Sequence, residues 1–137
     1  MRALGIDLGE KRIGIAVSDS NGKVATPIQV LVRSKSTKQD HNKINELVNE
    51  WEAEIVVVGM PYSLNGSKGS AARLVEKEVE KLSDSISVPV TIHDERLTTV
   101  MAAKELDVQG LNSKKQRGVI DQVAASVILQ SWLDDQT

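Results

Sequence analysis

The chain has 137 residues, with 17 Lys and Arg against 19 Asp and Glu, which gives a formal net charge of −2 at pH 7. This length predicts a single domain over residues 1–137, and 40% hydrophobic with 26% charged residues excludes disordered, collagenous and coiled-coil chains. The absence of cysteine excludes disulfide scaffolds, thiolate zinc sites and cysteine nucleophiles. No apolar run is long enough to span a membrane, so we expect a cytoplasmic protein without a membrane partner.

The start of the chain predicts an antiparallel arrangement of strands. Three runs with the composition of strands occupy residues 2–8, 12–18 and 24–32. A tight link joins the first two runs, and the Asn21-Gly22 pair favours a primed hairpin turn between the second and the third. We therefore expect the fold to open with three antiparallel strands.

Helices alternate with strands after residue 40. Apolar residues between positions 44 and 51 recur at the spacing of one helical face, and the β-branched run 55–58 suits a strand covered on both sides. A second helix, with its N-cap at Ser70, and a strand over residues 88–94 repeat this unit. The pattern therefore predicts two crossover connections.

The last part of the chain predicts a short helix over residues 98–106, a loop over 109–115 and a final helix over 117–132. The complete order is βββαβαβα. This order implies an α/β fold with a mixed five-stranded sheet, three antiparallel strands followed by two crossover strands, and helices on both faces.

Acidic residues occur at three unusual places. Asp7 lies inside the first apolar strand, where a carboxylate needs a partner, and an ion pair with Arg12 across the hairpin is the simpler alternative to a functional role. Asp94 and Glu95 end a strand, and side-chain alternation lets only one of them point into a given cleft. Asp121 lies beside the apolar stripe of the last helix, which is equally consistent with a solvated helix edge.

If three such carboxylates converge, they need a compensating charge. Two carboxylates about 4 Å apart repel by about 4 kcal/mol at an effective dielectric constant near 20. A divalent cation relieves this repulsion, and a chain with no cysteine and only two histidines favours Mg²⁺ or Mn²⁺ over zinc. A pair of such ions about 3.5–4 Å apart is the arrangement that promotes phosphodiester hydrolysis.

Basic residues form local clusters rather than a uniformly basic surface. One cluster is Lys11 with Arg12, and another is the triplet Lys114, Lys115 and Arg117. A third cluster is Lys68 with Arg73. Lys68 belongs to the glycine- and hydroxyl-rich segment 59–70, which precedes a helix N-terminus where backbone amides can hold phosphate. Solvated faces and a plain connector are the alternatives. With a net negative chain, any polyanion must bind through such patches.

Four motifs stand in order along the chain: GIDLGEKRIGIAVSD at residues 5–19, VVGMP at 57–61 with NGS at 65–67, DERLTT at 94–99 and DQVAA at 121–125. Together they resemble the YqgF family, whose members are also described as Holliday junction resolvases or pre-16S rRNA nucleases. The resemblance covers essentially the whole chain. It implies an RNase H-like fold and a divalent-metal nuclease site.

Carried over position by position, the resemblance implies that Asp7, Glu95 and Asp121 are the catalytic acids and metal ligands. It thereby selects Glu95 over Asp94, a choice that alternation leaves open. The residues expected to contact nucleic acid are Lys11, Arg12, Asn65, Ser67, Lys68, Arg73, Arg96, Thr98, Lys114, Lys115 and Arg117.

The resemblance implies two substrates. One is the 5′ end of pre-16S rRNA, which is processed during ribosome biogenesis. A pre-ribosomal particle would then be the partner, and a monomer would be sufficient for this reaction. The other is branched DNA, which requires a homodimer. A catalytically inactive nucleic-acid-binding module for ribosome assembly is the alternative of another class. An actin-like ATPase or sugar kinase is excluded because those enzymes close two related lobes around a nucleotide.

Overall fold

The computed structural model describes residues 1–63, 65–97 and 114–136, without the side chains of residue 97 and residues 114–122. The strands are β1 (Ala3–Leu8), β2 (Arg12–Ser18), β3 (Ala25–Val32), β4 (Ile55–Met60) and β5 (Val90–Asp94). The helices are α1 (Thr37–Glu50), α2 (Ser70–Ser85) and α3 (Lys114–Asp135), and a 3-10 turn (Glu95–Leu97) follows β5.

The five strands form one sheet in the order β3-β2-β1-β4-β5. β1 pairs antiparallel with β2 and β2 antiparallel with β3, whereas β1 with β4 and β4 with β5 are parallel pairs. The predicted mixed sheet is therefore confirmed. β1 is the central strand, and all six of its residues are buried.

Helices cover both faces of the sheet, as predicted. α1 and α2 pack on one face over large aliphatic side chains, among them Leu4, Ile6, Ile13, Ile15, Val56 and Val58. Of the three helices described, only α3 packs on the other face, where the sheet presents small residues such as Ala3 and Ala16. Within the described part of the chain, no helix is both long and apolar enough to cross a membrane.

Helix α3 lies directly on glycines of β1 and β4. A Cβ atom at Gly5 would lie 2.6 Å from Leu129 Cβ and 2.9 Å from the Ala125 carbonyl oxygen, and one at Gly59 would lie 2.5 Å from Ile128 Cδ1. Carbon atoms in contact are normally about 3.5–4.0 Å apart. The two glycines therefore allow α3 to approach the strand backbone closely.

The turn between β2 and β3 is not the primed hairpin turn that Asn21-Gly22 predicts. Gly22 has a φ of 67°, but Asn21 lacks the positive φ that a type I′ turn also needs. Instead, Asp19 Oδ1 accepts hydrogen bonds from the backbone N–H groups of Val24 (3.1 Å) and Lys23 (2.7 Å), and these bonds hold the pKa of the exposed carboxyl below its usual value. A longer loop organised by Asp19 replaces the two-residue turn.

Three predicted helix boundaries are wrong, among them the end of the last helix, which continues to Asp135 instead of stopping at residue 132. The N-cap of α2 is Gly69 rather than Ser70, since the Gly69 carbonyl oxygen accepts the first helical hydrogen bond from the Arg73 N–H at 3.1 Å. α3 begins at Lys114, so Lys114 and Lys115 belong to the helix and not to the preceding loop. Lys, Gln and Arg are good helix formers, which explains the earlier start. The predicted helix over residues 98–106 lies outside the described residues.

A half-buried polar network holds the turn between β1 and β2. The Arg33 guanidinium donates to both carboxylate oxygens of Glu78 at 2.7 and 2.8 Å, and its Nε donates to the Gly9 carbonyl oxygen at 2.8 Å. His41 Nε2 lies 2.8 Å from Glu78, and the Arg33 N–H donates to the Lys11 carbonyl oxygen. The turn is therefore tied to both α1 and α2.

Glu78 is ionised in this network. Burial opposes its ionisation, but hydrogen bonds from Arg33 and His41 outweigh burial and hold the pKa of the Glu78 carboxyl below its usual value. A carboxylate with a lowered pKa stabilises the fold at pH values above its unfolded pKa. That stabilisation is lost as the pH falls through the folded pKa.

We expect Gly5→Ala to lower the free energy of unfolding by about 1–3 kcal/mol, because the added methyl group meets the fixed backbone at Ala125. Gly59→Ala should cost less, since the side-chain end of Ile128 can rotate away. Urea unfolding followed by circular dichroism measures both values. Equal losses in the two variants would contradict the close approach of α3 at Gly5.

Glu78→Gln should lower the free energy of unfolding by about 1–3 kcal/mol at pH 7, because it leaves the Arg33 charge without its counter-ion. The difference from wild type should shrink below about pH 4.5, the usual pKa of a glutamate, as the native carboxylate is protonated. Urea unfolding between pH 3 and pH 7, with Glu80→Gln on the same helix as control, tests this. A difference independent of pH would rule out the ionised pair.

Candidate active site

The candidate site lies where three parallel strands end. β1, β4 and β5 run in the same direction, so their carboxyl ends share one edge of the sheet. Asp7 is the next-to-last residue of β1, and Glu95 follows directly after β5. This edge is where open α/β sheets place their sites.

Asp7 is buried, with 3% of its surface exposed. It pairs with Gly14 of β2, and alternation along β1 places it on the same face as Gly5, the face that α3 covers. Arg12 opens β2 two residues before Gly14 and therefore lies on the same face, diagonally opposite Asp7. The predicted Asp7–Arg12 ion pair stays a prediction, with both residues in positions that fit it.

Glu95 is more deeply buried still, with 1% exposed. It begins the 3-10 turn, and the preceding Asp94 binds Arg96: Arg96 Nη2 donates to Asp94 Oδ2 at 2.7 Å and Arg96 Nε lies 3.1 Å from both oxygens. Hydrogen bonds from Arg96 hold the pKa of the Asp94 carboxyl below its usual value. Asp94 is thus occupied by an ion pair, while Glu95 is the acid enclosed in the interior.

One strand separates the two buried acids. The backbones of β1 and β5 lie about 9.6 Å apart, twice the usual spacing of neighbouring strands. In β4, Val58 pairs with Ile6, and the next residue, Gly59, pairs with His93. Because Gly59 has no side chain, nothing projects from β4 at this row between Asp7 of β1 and the end of β5.

Position 121 of α3 lies at the level of Asp7. The helix runs antiparallel to β1, because Leu133 lies near the Gly22 turn at the start of the strand and Ala125 near Gly5. One helical turn before Ala125 spans about 6 Å, and the step from Gly5 to Asp7 spans about 6.6 Å. These spacings put the backbone of position 121 at about the level of Asp7 along β1, and the Asp121 side chain lies outside the described residues.

The buried carboxylates of the candidate site are the type of ligand that binds a hard divalent cation. Asp7 and Glu95 offer carboxylate oxygens, the ligands that Mg²⁺ and Mn²⁺ prefer. His93 is the nearest imidazole along β5, but its Nε2 lies 2.8 Å from Ser131 Oγ and is engaged there. Among the residues that the structure describes, no three His, Asp or Glu side chains form a complete metal cluster.

The predicted phosphate-binding segment forms a tight loop after β4. Asn65 Oδ1 accepts a hydrogen bond from the Ser67 N–H at 3.0 Å, which shapes the loop around Gly66. This bond holds the Asn65 side chain within the loop itself. Lys68 is ion-paired with Glu76 of α2, and the hydrogen bond from Lys68 to Glu76 raises the pKa of the Lys68 ammonium.

A basic depression of about 420 Å³ lies beside this loop. The predicted residues Lys68 and Arg73 line it together with Lys77, which the sequence analysis did not select. The sequence did contain a signal for Lys77, because it follows Arg73 by one helical turn and therefore lies on the same helical face. The depression gathers three cationic side chains at the start of α2.

Some of the other residues predicted to contact nucleic acid belong to the described part of the chain, and the rest lie outside it. Lys11 is exposed in the turn between β1 and β2, and Arg12 lies at the start of β2. Thr98 and the side chains of Lys114, Lys115 and Arg117 lie outside the described residues. Tyr62, whose ring centre lies 5.8 Å from the central carbon of the Arg96 guanidinium, was missed because it acts through Arg96 and belongs to no motif. Asp94, which the sequence weighed only as an alternative acid to Glu95, pairs with Arg96.

Comparisons with known proteins find relatives that match almost the whole chain. A protein of Nocardia farcinica is 46% identical over 142 residues, which cover 99% of this chain and 79% of that protein. A protein of Thermoanaerobacter pseudethanolicus is 40% identical over 137 residues, covering 99% and 98%. Both are provisionally named pre-16S rRNA nuclease.

A solved structure shares the fold. The RuvC protein of Thermus thermophilus in complex with a Holliday junction substrate has a TM-score of 0.60 and 20% identity, covering 99% of this chain and 95% of that one. This likeness confirms the expected RNase H-like fold. The family model described as "RuvX: Holliday junction resolvase" matches residues 1–135, and the chain therefore belongs to the RuvX family.

Proposed function

We propose that this chain is a divalent-metal-dependent nuclease that hydrolyses phosphodiester bonds at the 5′ end of pre-16S rRNA. The observation that carries the proposal is the burial of two carboxylates, Asp7 and Glu95, at the carboxyl edge of the sheet in a RuvX-family chain. The provisional name of its relatives supports RNA as the substrate. A role in ribosome biogenesis would place the chain in the cytoplasm, acting on a pre-ribosomal particle.

The proposed metal ligands are Asp7, Glu95 and Asp121. Buried carboxylates repel one another strongly when they are ionised, so a site built from them holds a cation or protons. Bound Mg²⁺ or Mn²⁺ supplies Lewis acidity toward the phosphate and the attacking water. The chain itself supplies the rigid strand ends that hold two of these ligands and exclude bulk water from them.

The basic depression beside the loop binds the nucleic-acid backbone in this proposal. The whole chain has a net charge of −2, so attraction to phosphate depends on a local concentration of cations. Arg73 and Lys77 are exposed on α2, which begins after the loop that follows β4 and therefore near the acidic edge. A nucleic-acid strand that crosses the edge of the sheet at Asp7 and Glu95 can continue along α2.

A second candidate function is cleavage of branched DNA. The description of the matching family model and the fold shared with a junction-bound RuvC favour it. A resolvase must cut two symmetry-related strands and therefore acts as a twofold dimer. Trimming of an RNA end needs only one copy, so substrate preference and oligomeric state together separate the two functions.

Asp7→Asn should reduce the rate of cleavage at least 100-fold, because it removes one charge from the proposed ligand set while keeping the side-chain shape. The assay compares wild type, Asp7→Asn and the exposed control Asp84→Asn on a precursor-rRNA leader and on a four-way DNA junction, in Mg²⁺ and in Mn²⁺. Size-exclusion chromatography with light scattering gives the oligomeric state in the same buffer.

We expect wild type and Asp84→Asn to cut the RNA leader as monomers. Preferential symmetric cutting of the junction by a dimer would replace the rRNA assignment with the resolvase function. Full activity of Asp7→Asn would exclude the proposed metal site. Binding of RNA without any metal-dependent product would support an inactive assembly module instead.

The double variant Arg73→Gln, Lys77→Gln should bind the RNA leader more weakly at 50 mM salt and lower the slope of log K against log[salt] by about 1.4, because two phosphate contacts to a single strand are lost. Fluorescence anisotropy over a salt series measures this slope. The double variant Lys38→Gln, Lys43→Gln on α1, where both side chains are exposed, is the matched control for loss of two charges. A slope unchanged from wild type would exclude the depression as a binding surface.

A further inference from the structure

Asp94, at the last position of β5, makes two different kinds of contact with Arg96. Its Oδ1 accepts a hydrogen bond from the backbone N–H of Arg96 at 2.9 Å, and its carboxylate binds the Arg96 guanidinium through Nε and Nη2. A carboxylate that accepts from a backbone N–H two residues later forms an Asx turn. One side chain thus controls both the backbone and the side chain of residue 96.

The Asx turn encloses Glu95. The peptide groups on both sides of Glu95 lie inside the ring that the Asp94–Arg96 hydrogen bond closes. This bond bends the chain out of the extended conformation of β5 and into the 3-10 turn that begins at Glu95. The direction of the buried Glu95 side chain therefore depends on the hydrogen-bond acceptor at position 94.

The Arg96 guanidinium connects this turn to the loop after β4. Its central carbon lies 5.8 Å from the centre of the Tyr62 ring, within the range of a cation–π contact. Gly66, with a φ of 88°, faces the same guanidinium, since a Cβ built there would lie 3.3 Å from Arg96 Nη1. Asp94 holds the guanidinium against both the ring and the glycine.

We propose that Asp94 is a positioning residue for phosphodiester cleavage: it sets the direction of Glu95 through the Asx turn and holds the loop of residues 61–69 through Arg96. The inference rests on the proposed nuclease function. It assigns Asp94 a role distinct from that of a metal ligand, although Asp94 is adjacent to one. The two effects of Asp94 are separable, because the turn requires only an acceptor and the guanidinium contact requires a charge.

The test compares Asp94→Ala, Asp94→Asn and Asp94→Ser in the full chain. Asparagine and serine can accept a hydrogen bond from the N–H two residues later and so keep the turn, whereas alanine cannot. We measure kcat and KM on the RNA leader, and Mn²⁺ binding without nucleic acid by electron paramagnetic resonance. Thermal unfolding shows that each variant is folded at the assay temperature, and Asp84→Ala is the control.

Asp94→Ala should lower kcat at least 30-fold and weaken Mn²⁺ binding at least 10-fold, because Glu95 loses its direction. Asp94→Asn should recover Mn²⁺ binding and kcat to within about 5-fold of wild type but raise KM about 3- to 10-fold, because the guanidinium is no longer held by a charge. Asp94→Ser should bind Mn²⁺ more tightly than Asp94→Ala. If Asp94→Ala does not fold, the comparison of asparagine with serine and wild type carries the test.

Wild-type Mn²⁺ affinity in Asp94→Ala would overturn this inference alone. So would equal losses of kcat in the alanine and asparagine variants, since rescue by an acceptor is the property that a general loss of packing does not produce. Failure of the wild type to bind Mn²⁺ and to cleave any substrate would remove the proposed function and this inference together. If Mn²⁺ binds tightly to the variants that keep a hydrogen-bond acceptor at position 94 and weakly to Asp94→Ala, this result supports the positioning role independently of cleavage.

Discussion

The repulsion between buried carboxylates is the constraint on which the site depends. Asp7 and Glu95 have almost no contact with solvent, so their charge must be balanced from within the molecule or by a bound cation. The fold ends β1 and β5 at one edge of the sheet, so both acids lie at that edge. Each acid is held by an element with its own packing.

The fold could be predicted from the sequence because its signals are local. Apolar runs gave the five strands within a few residues, and helical spacing gave α1, α2 and α3. The type of the turn after β2 was predicted wrongly because it depends on particular hydrogen bonds, those that Asp19 accepts. Such bonds compete with intrinsic turn preferences, and the pattern of the sequence alone does not decide between them.

The candidate site was less predictable because its geometry is non-local. Alternation could not choose between Asp94 and Glu95, since the Asx turn ends the regular strand at this point. The network that joins Arg33 to Glu78 brings together residues 45 positions apart, and neither residue belongs to a motif. Family resemblance selected the acids, and the structure then identified the side chains that support them.

The contact of α3 with Gly5 and Gly59 has a consequence for how this site can evolve. Repulsion between touching atoms rises steeply over a few tenths of an ångström, so a helix seated on bare backbone has one permitted height above the sheet. That height fixes the gap between the helix and the strand ends. A related protein that needs a wider gap for its ion would reach it by enlarging these two residues, while its acids stay unchanged.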